Sequence, residues 1–126
     1  MVPLSTQALG IFRKVHAATG EGRRVFPNVR APSEGMSDAT LNAALRRLDY
    51  APEEIGTHGL RAMASTVLNE SGLWREDVIE MQLAHARRGG RVRGAYNRAR
   101  YLPERRRMMQ WWADYLDTLK AAKAGD

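Results

Sequence analysis

Apolar residues recur along this chain at intervals of three and four, the spacing that puts side chains on one face of a helix. Ala8, Leu9, Phe12 and Val15 follow Ser5, whose hydroxyl suits an N-cap, and Gly20 supplies a stop, so a helix is expected over 5–19. Val25-Phe26-Pro27 reads as a brief strand or a buried extended segment, and 28–35, with Pro32 and Ser33, as a loop. Ser37 caps a second expected helix, with Leu41, Ala44, Leu45 and Leu48 on its apolar face and Arg46 and Arg47 opposite. Pro52-Glu53-Glu54 looks like the first turn of a short third helix, where proline has no amide to leave unpaired, and Gly56-Thr57 ends it. Thr57 then caps a fourth helix over 58–71, with Leu60, Ala64, Val67 and Leu68 as its buried stripe and Gly72 as its stop. A fifth runs from Arg75 to Leu83. Glu76 and Asp77 lie in its first turn, where the helix dipole favours acids, and Val78, Ile79 and Leu83 form its apolar face. A loop containing Gly89-Gly90 leads to a short helix expected over 95–100. Pro103 starts a long helix to about 122, whose stripe of Met108, Trp112, Tyr115 and Leu119 reads as core rather than a cofactor site. The expected fold class is mainly α, with little or no β.

Composition narrows the class. The chain has 126 residues, 44% hydrophobic and 27% charged, which suits one soluble globular domain or part of one. The absence of cysteine excludes a disulfide scaffold, a thiol nucleophile and a thiolate zinc site, and it fits a reducing cytoplasm, the expected location. No apolar run approaches the roughly 20 residues that cross a bilayer, and Met1 to Ser5 lack a signal-peptide pattern, so no membrane partner is expected.

Net charge is +6, and its distribution matters more than its total. Residues 86–107 hold nine arginines against Glu104 alone, a net +8 in 22 residues that leaves −2 on the other 104. Such a local run is the electrostatic footprint of a polyanion site, usually nucleic acid, although a solvated helix face has the same composition.

The candidate chemistry lies between Thr57 and Tyr101. His58 and Arg61 are three apart at a helix start, so they share a face, and the free amides of that turn point the same way. Gly59 between them removes a side chain that could block a ligand. Arginine makes paired hydrogen bonds to phosphate, and imidazole donates a bond or moves a proton near neutral pH. The pair also fits a helix cap with a surface ion pair. His85 follows the apolar face of the fifth helix, a place that equally suits a core or C-cap histidine. Three histidines and no cysteine do not provide the usual spacing of a zinc site. Tyr96 lies between Gly94-Ala95 and Asn97, flanked by Arg93 and Arg98. A free phenol has a pKa of roughly 10, so as a nucleophile it needs such cations or a base. Tyr101 competes for the role, but Leu102-Pro103 beside it suits an anchor for the long helix.

The order of these residues resembles the tyrosine recombinases, in particular the bacteriophage and prophage integrases. The resemblance runs through Val2-Pro3-Leu4-Ser5, Val25-Phe26-Pro27, Met36-Ser37-Asp38-Ala39-Thr40-Leu41-Asn42 and Thr57-His58-Gly59-Leu60-Arg61. It continues through Gln82-Leu83-Ala84-His85, Ala95-Tyr96-Asn97-Arg98 and Glu104 to Leu116, covering nearly the whole chain. It implies the helical catalytic subdomain of the DNA breaking-rejoining enzymes, acting on double-stranded DNA, as a homo-tetramer in the full-length parent, with no metal or other cofactor. By position Tyr96 matches the nucleophile, which forms a 3′-phosphotyrosyl link. Arg61 matches the second catalytic arginine, His58 the proton-transfer histidine and His85 the second histidine. Arg87, Arg88, Arg91, Arg93 and Arg98 are the expected contacts to DNA phosphates.

The family's first catalytic arginine and β-hairpin lysine lie upstream of the Val2-Pro3-Leu4-Ser5 segment and have no counterpart among residues 1–126. The chain therefore looks like a partial catalytic domain, expected to be inactive alone. Gly89-Gly90 also lengthens the path from His85 to Tyr96. A non-catalytic basic helical DNA-binding module is the alternative reading, and an assembly domain using the long terminal helix a third.

Overall fold

The computed structural model describes residues 1–83 and 101–124, so the expected loop at 86–94 and helix at 95–100 lie outside the described residues. Five helices are described: α1 (Thr6–Thr19), α2 (Asp38–Arg47), α3 (Thr57–Glu70), α4 (Glu76–Gln82) and α5 (Leu102–Ala124). The β content of the described residues is an isolated antiparallel bridge between Pro27 and Gly35. The chain is mainly α. Among the described residues no helix is long and apolar enough to cross a membrane.

Local chemistry explains most helix ends. Ser5 Oγ accepts from the Ala8 amide at 3.2 Å, and Ser37 Oγ from the Thr40 amide at 3.3 Å. Each satisfies a first-turn donor with no partner inside its helix. At the end of α1 the Gly20 amide donates to the His16 carbonyl at 2.8 Å, so tightly that a Cβ on Gly20 would lie 2.5 Å from that oxygen. α3 ends at Gly72, whose φ of 65° is the left-handed conformation that terminates many helices.

The expected third helix is a single turn. The Glu54 and Ile55 amides both donate to the Ala51 carbonyl, and Glu54 Oε2 accepts from the Ala51 amide at 2.5 Å. The Ile55 carbonyl is taken by Arg46, and Gly56 opens α3 one residue before the cap expected at Thr57. Val25 and Phe26 also differ from the buried segment allowed by the sequence, being 50% and 46% exposed. Phe26 meets Phe12 at a centroid distance of 6.0 Å, and the Val25 carbonyl accepts from Thr19 Oγ1.

The chain forms two compact units, one of Met1–Ala8 with Ala64–Asp126 and one of Leu9–Met63. The first holds a core of Leu68, Val78, Ile79 and Met108, with Trp74, Leu83, Tyr101, Met109, Trp111 and Trp112 against it. Each of the fully buried side chains contributes about 1.5–3 kcal/mol relative to exposure. Trp111 and Tyr115 stack at 5.5 Å, and Trp74 meets the Trp111 ring edge-on at 6.3 Å. The expected stripe of α5 fades toward its end, where Leu119 is half exposed. Thr6 and Gln7 are tied to α5 through Gln110, Asp114 and Asp117. Among the described residues of the second unit none is fully buried.

Candidate functional site

The described part of the candidate site is the first turn of α3, and α2 builds the approach to it. α2 stops because Asp49 adopts a positive φ of 65°, and the Tyr50 amide turns back to the Leu45 carbonyl at 3.2 Å. The chain then makes the single turn at 51–55. Asn42 Oδ1 accepts from the Thr57 amide at 3.2 Å, and the Leu60 amide donates to the Gly56 carbonyl at 3.1 Å, which starts the helix.

His58 and Arg61 both point out from this turn and are exposed. Neither has a hydrogen bond or ion pair among the described residues, so nothing described there corresponds to a cap with a surface ion pair. The His58 and Gly59 amides likewise have no partner among the described residues. A Cβ built on Gly59 meets no atom within 4 Å, so the fold itself does not require glycine there. The turn thus gathers a guanidinium, an imidazole and amides without a partner among the described residues, together with the partial positive charge of a helix start. That set of donors suits a phosphate oxygen.

His85, Tyr96, Arg87, Arg88, Arg91, Arg93 and Arg98 lie outside the described residues, so their positions relative to this turn are not described. The residues that flank their segment are described. Leu83 closes α4, its amide donating to the Ile79 carbonyl at 2.9 Å, and Tyr101 opens α5, its carbonyl accepting from the Arg105 amide at 2.9 Å. Both side chains pack on the core of the same unit. Arg105, only 2% exposed, donates from Nε to Gln82 Oε1 at 2.8 Å and so ties the two ends together.

Two residues take roles that composition did not indicate. Arg105 belongs to the arginine-rich run, yet it faces inward. Its register reveals this, since it lies three residues before Met108 on the same stripe of α5. Arg46, assigned to the outer face of α2, is half-buried and clamps the α2–α3 connection through the Tyr50 and Ile55 carbonyls. Tyr101 is held as an anchor. Arg75 Nη2 donates to its hydroxyl at 3.3 Å, and the guanidinium lies 5.0 Å from its ring centroid. Asp77, at 2.8 Å from Arg75, is the largest cause raising that arginine above its ordinary pKa.

The chain is 45% identical over 119 residues to the integrase of Enterobacteria phage P4, covering 93% of the chain and 27% of that protein. It is 46% identical over 124 residues to the prophage integrase IntA of Escherichia coli, covering 98% of the chain and 29% of that relative. The chain is thus similar to phage and prophage integrases over nearly its whole length. The integrase of Shigella phage Sf6 is 40% identical over 118 residues, again 93% of the chain and 30% of that relative. The chain therefore spans less than a third of the length of these integrases. No family model matches it, and no solved structure matches it.

Proposed function

We propose that this integrase-type chain serves site-specific DNA integration and recombination, and that it does so through a tyrosine nucleophile. The phenol oxygen of Tyr96 attacks the scissile phosphorus, forming a 3′-phosphotyrosyl bond as the bond to the 5′ oxygen breaks. The phenol proton leaves to a base and the departing 5′ oxygen gains a proton, giving a free 5′-hydroxyl. A 5′-hydroxyl of the partner duplex then attacks the link, rejoins the strands and returns the proton to Tyr96. Arg61 clamps the non-bridging oxygens, His58 assists proton movement and His85 steadies the phosphate. Donors held in place before the reaction stabilise charge that develops in the transition state. Arg87, Arg88, Arg91, Arg93 and Arg98 hold flanking phosphates, and the full-length protein works as a tetramer on DNA.

The supporting observation is the exposed His58–Arg61 pair at the start of α3, which has no partner among the described residues, in a chain similar to integrases. The 126 residues supply only part of the groups that the family resemblance implies, so alone they are expected to bind DNA without cleaving it.

A nicked suicide duplex, incubated with a full-length integrase carrying these residues, tests the reading. Covalent protein–DNA adduct should form with the wild type and with Tyr101→Phe, and be lost with Tyr96→Phe. Adduct from Tyr96→Phe overturns the assignment of the nucleophile. Absence of adduct from every variant, with affinity falling steeply as salt rises, supports the non-catalytic DNA-binding module instead.

A further inference from the structure

We infer that Arg46 is a positioning residue for the His58–Arg61 phosphate site, holding the first turn of α3 through its backbone without touching the ligand. The inference rests on the proposed role of that pair. Arg46 Nη1 donates to the Tyr50 carbonyl at 2.7 Å, Nη2 to the Ile55 carbonyl, and Nε to the Asn42 carbonyl at 3.4 Å. One planar group thus grips both ends of the 50–55 connection. Asn42, one helical turn earlier, adds a third grip by accepting the Thr57 amide at 3.2 Å. Ile55 and Thr57 flank Gly56, whose carbonyl receives the first hydrogen bond of α3. The direction in which His58 and Arg61 leave the chain is therefore set by two side chains of α2.

The chemistry requires arginine specifically. Its fork presents several N–H groups in fixed directions, enough for three carbonyls at once, whereas a lysine ammonium is a single point on a flexible stem. Arg46 makes all of its described bonds to carbonyls and has no carboxylate partner among the described residues, so it is not there to close an ion pair. The neighbouring Arg47 is exposed and has no described partner, which makes it a matched control for charge alone.

Amide NMR of the full 126-residue chain, titrated with a short DNA duplex at low salt, separates these roles. Wild-type chain should show perturbed amides at His58 to Arg61 on adding duplex. Arg46→Lys, which keeps the charge, should weaken binding read at those amides by about threefold to tenfold, the worth of one or two hydrogen bonds. It should also speed hydrogen exchange at Thr57 while leaving Ile79 and Met108 as protected as in wild type. Asn42→Ala should act in the same direction, and Arg47→Ala should leave His58 to Arg61 as they are. Wild-type affinity and Thr57 exchange in Arg46→Lys overturn the positioning role while the phosphate site stands. If the lysine variant loses protection at Ile79 and Met108, Asn42→Ala decides, and wild-type behaviour there overturns the inference. A wild-type chain without perturbation at His58 to Arg61 removes the phosphate site and the inference with it.

Discussion

Among the described residues two adopt the left-handed backbone conformation, and they differ at the side chain. Gly72 and Asp49 both have φ of 65° and both follow the last turn of a helix. Glycine pays no steric penalty there, while an L side chain crowds its own carbonyl by roughly 1–2 kcal/mol, somewhat less for aspartate. A Cβ on Gly72 would meet no atom within 4 Å, so Gly72→Ala isolates the backbone term. It should lower stability by about 1 kcal/mol, read as a fall in the urea midpoint at unchanged slope. Asp49→Gly should move the other way by about 0.5 kcal/mol, since the strain relieved exceeds the extra freedom of the unfolded glycine. A lower midpoint for Asp49→Gly would show that the carboxylate stabilises the helix end in some other way. Gly72 was legible as a stop because glycine is the usual residue there. Asp49 was not, because aspartate is common in loops and helix starts alike, and only its φ distinguishes it.

At the scale of elements, helix periodicity carried most of the fold, and it failed where polar side chains answer to irregular backbone. The stripe of Met108 and Trp112 correctly gave the inward face of α5. Extended back by three residues it reaches Arg105, so the same rule that identified the core also identifies a buried arginine within the basic run. No such rule reaches Arg46, because its partners are carbonyls of the 50–55 connection, whose path leaves no periodic trace in sequence. Arg105 offers the sharper test of an element joint. Its guanidinium bonds Gln82 at 2.8 Å and reaches the Met1 carbonyl at 3.3 Å, joining the end of α4 to the start of α5. Arg105→Ala removes that joint, and its half-buried partner Gln82 loses a charged donor, an expected loss of about 2–4 kcal/mol. Arg106→Ala, on the exposed face one residue on, should stay within about 0.5 kcal/mol of wild type. Equal effects of the two in thermal or urea melts would show that Arg105 does not hold the joint.

Across the whole molecule, burial is distributed unevenly, and this limits what amphipathic patterns can say. Leu41, Leu48 and Leu60 lie on the faces that periodicity marks as apolar, yet all three are exposed, Leu48 by 67%. A pattern identifies a face but carries no information on whether another element covers it. The candidate site was legible in a similarly partial way. His58 and Arg61 could be placed on one helix turn from their spacing, whereas their relation to His85 and Tyr96 depends on a long glycine-containing path that no spacing rule fixes. The uneven burial has a measurable consequence. Backbone amides exchange through local opening, which costs little where few apolar contacts break and approaches the global unfolding free energy in a packed core. Leu68, Val78, Ile79 and Met108 form such a core, and the described residues among 9–63 include no fully buried side chain. Amides of Ile79 and Met108 should therefore be protected at least about tenfold more than those in the middle of α2, since a tenfold ratio needs only about 1.4 kcal/mol of additional opening cost. Equal protection in the two units would mean that they open as one cooperative body. In that case Arg46 and Asn42 would be holding the α3 turn against global unfolding rather than against local opening.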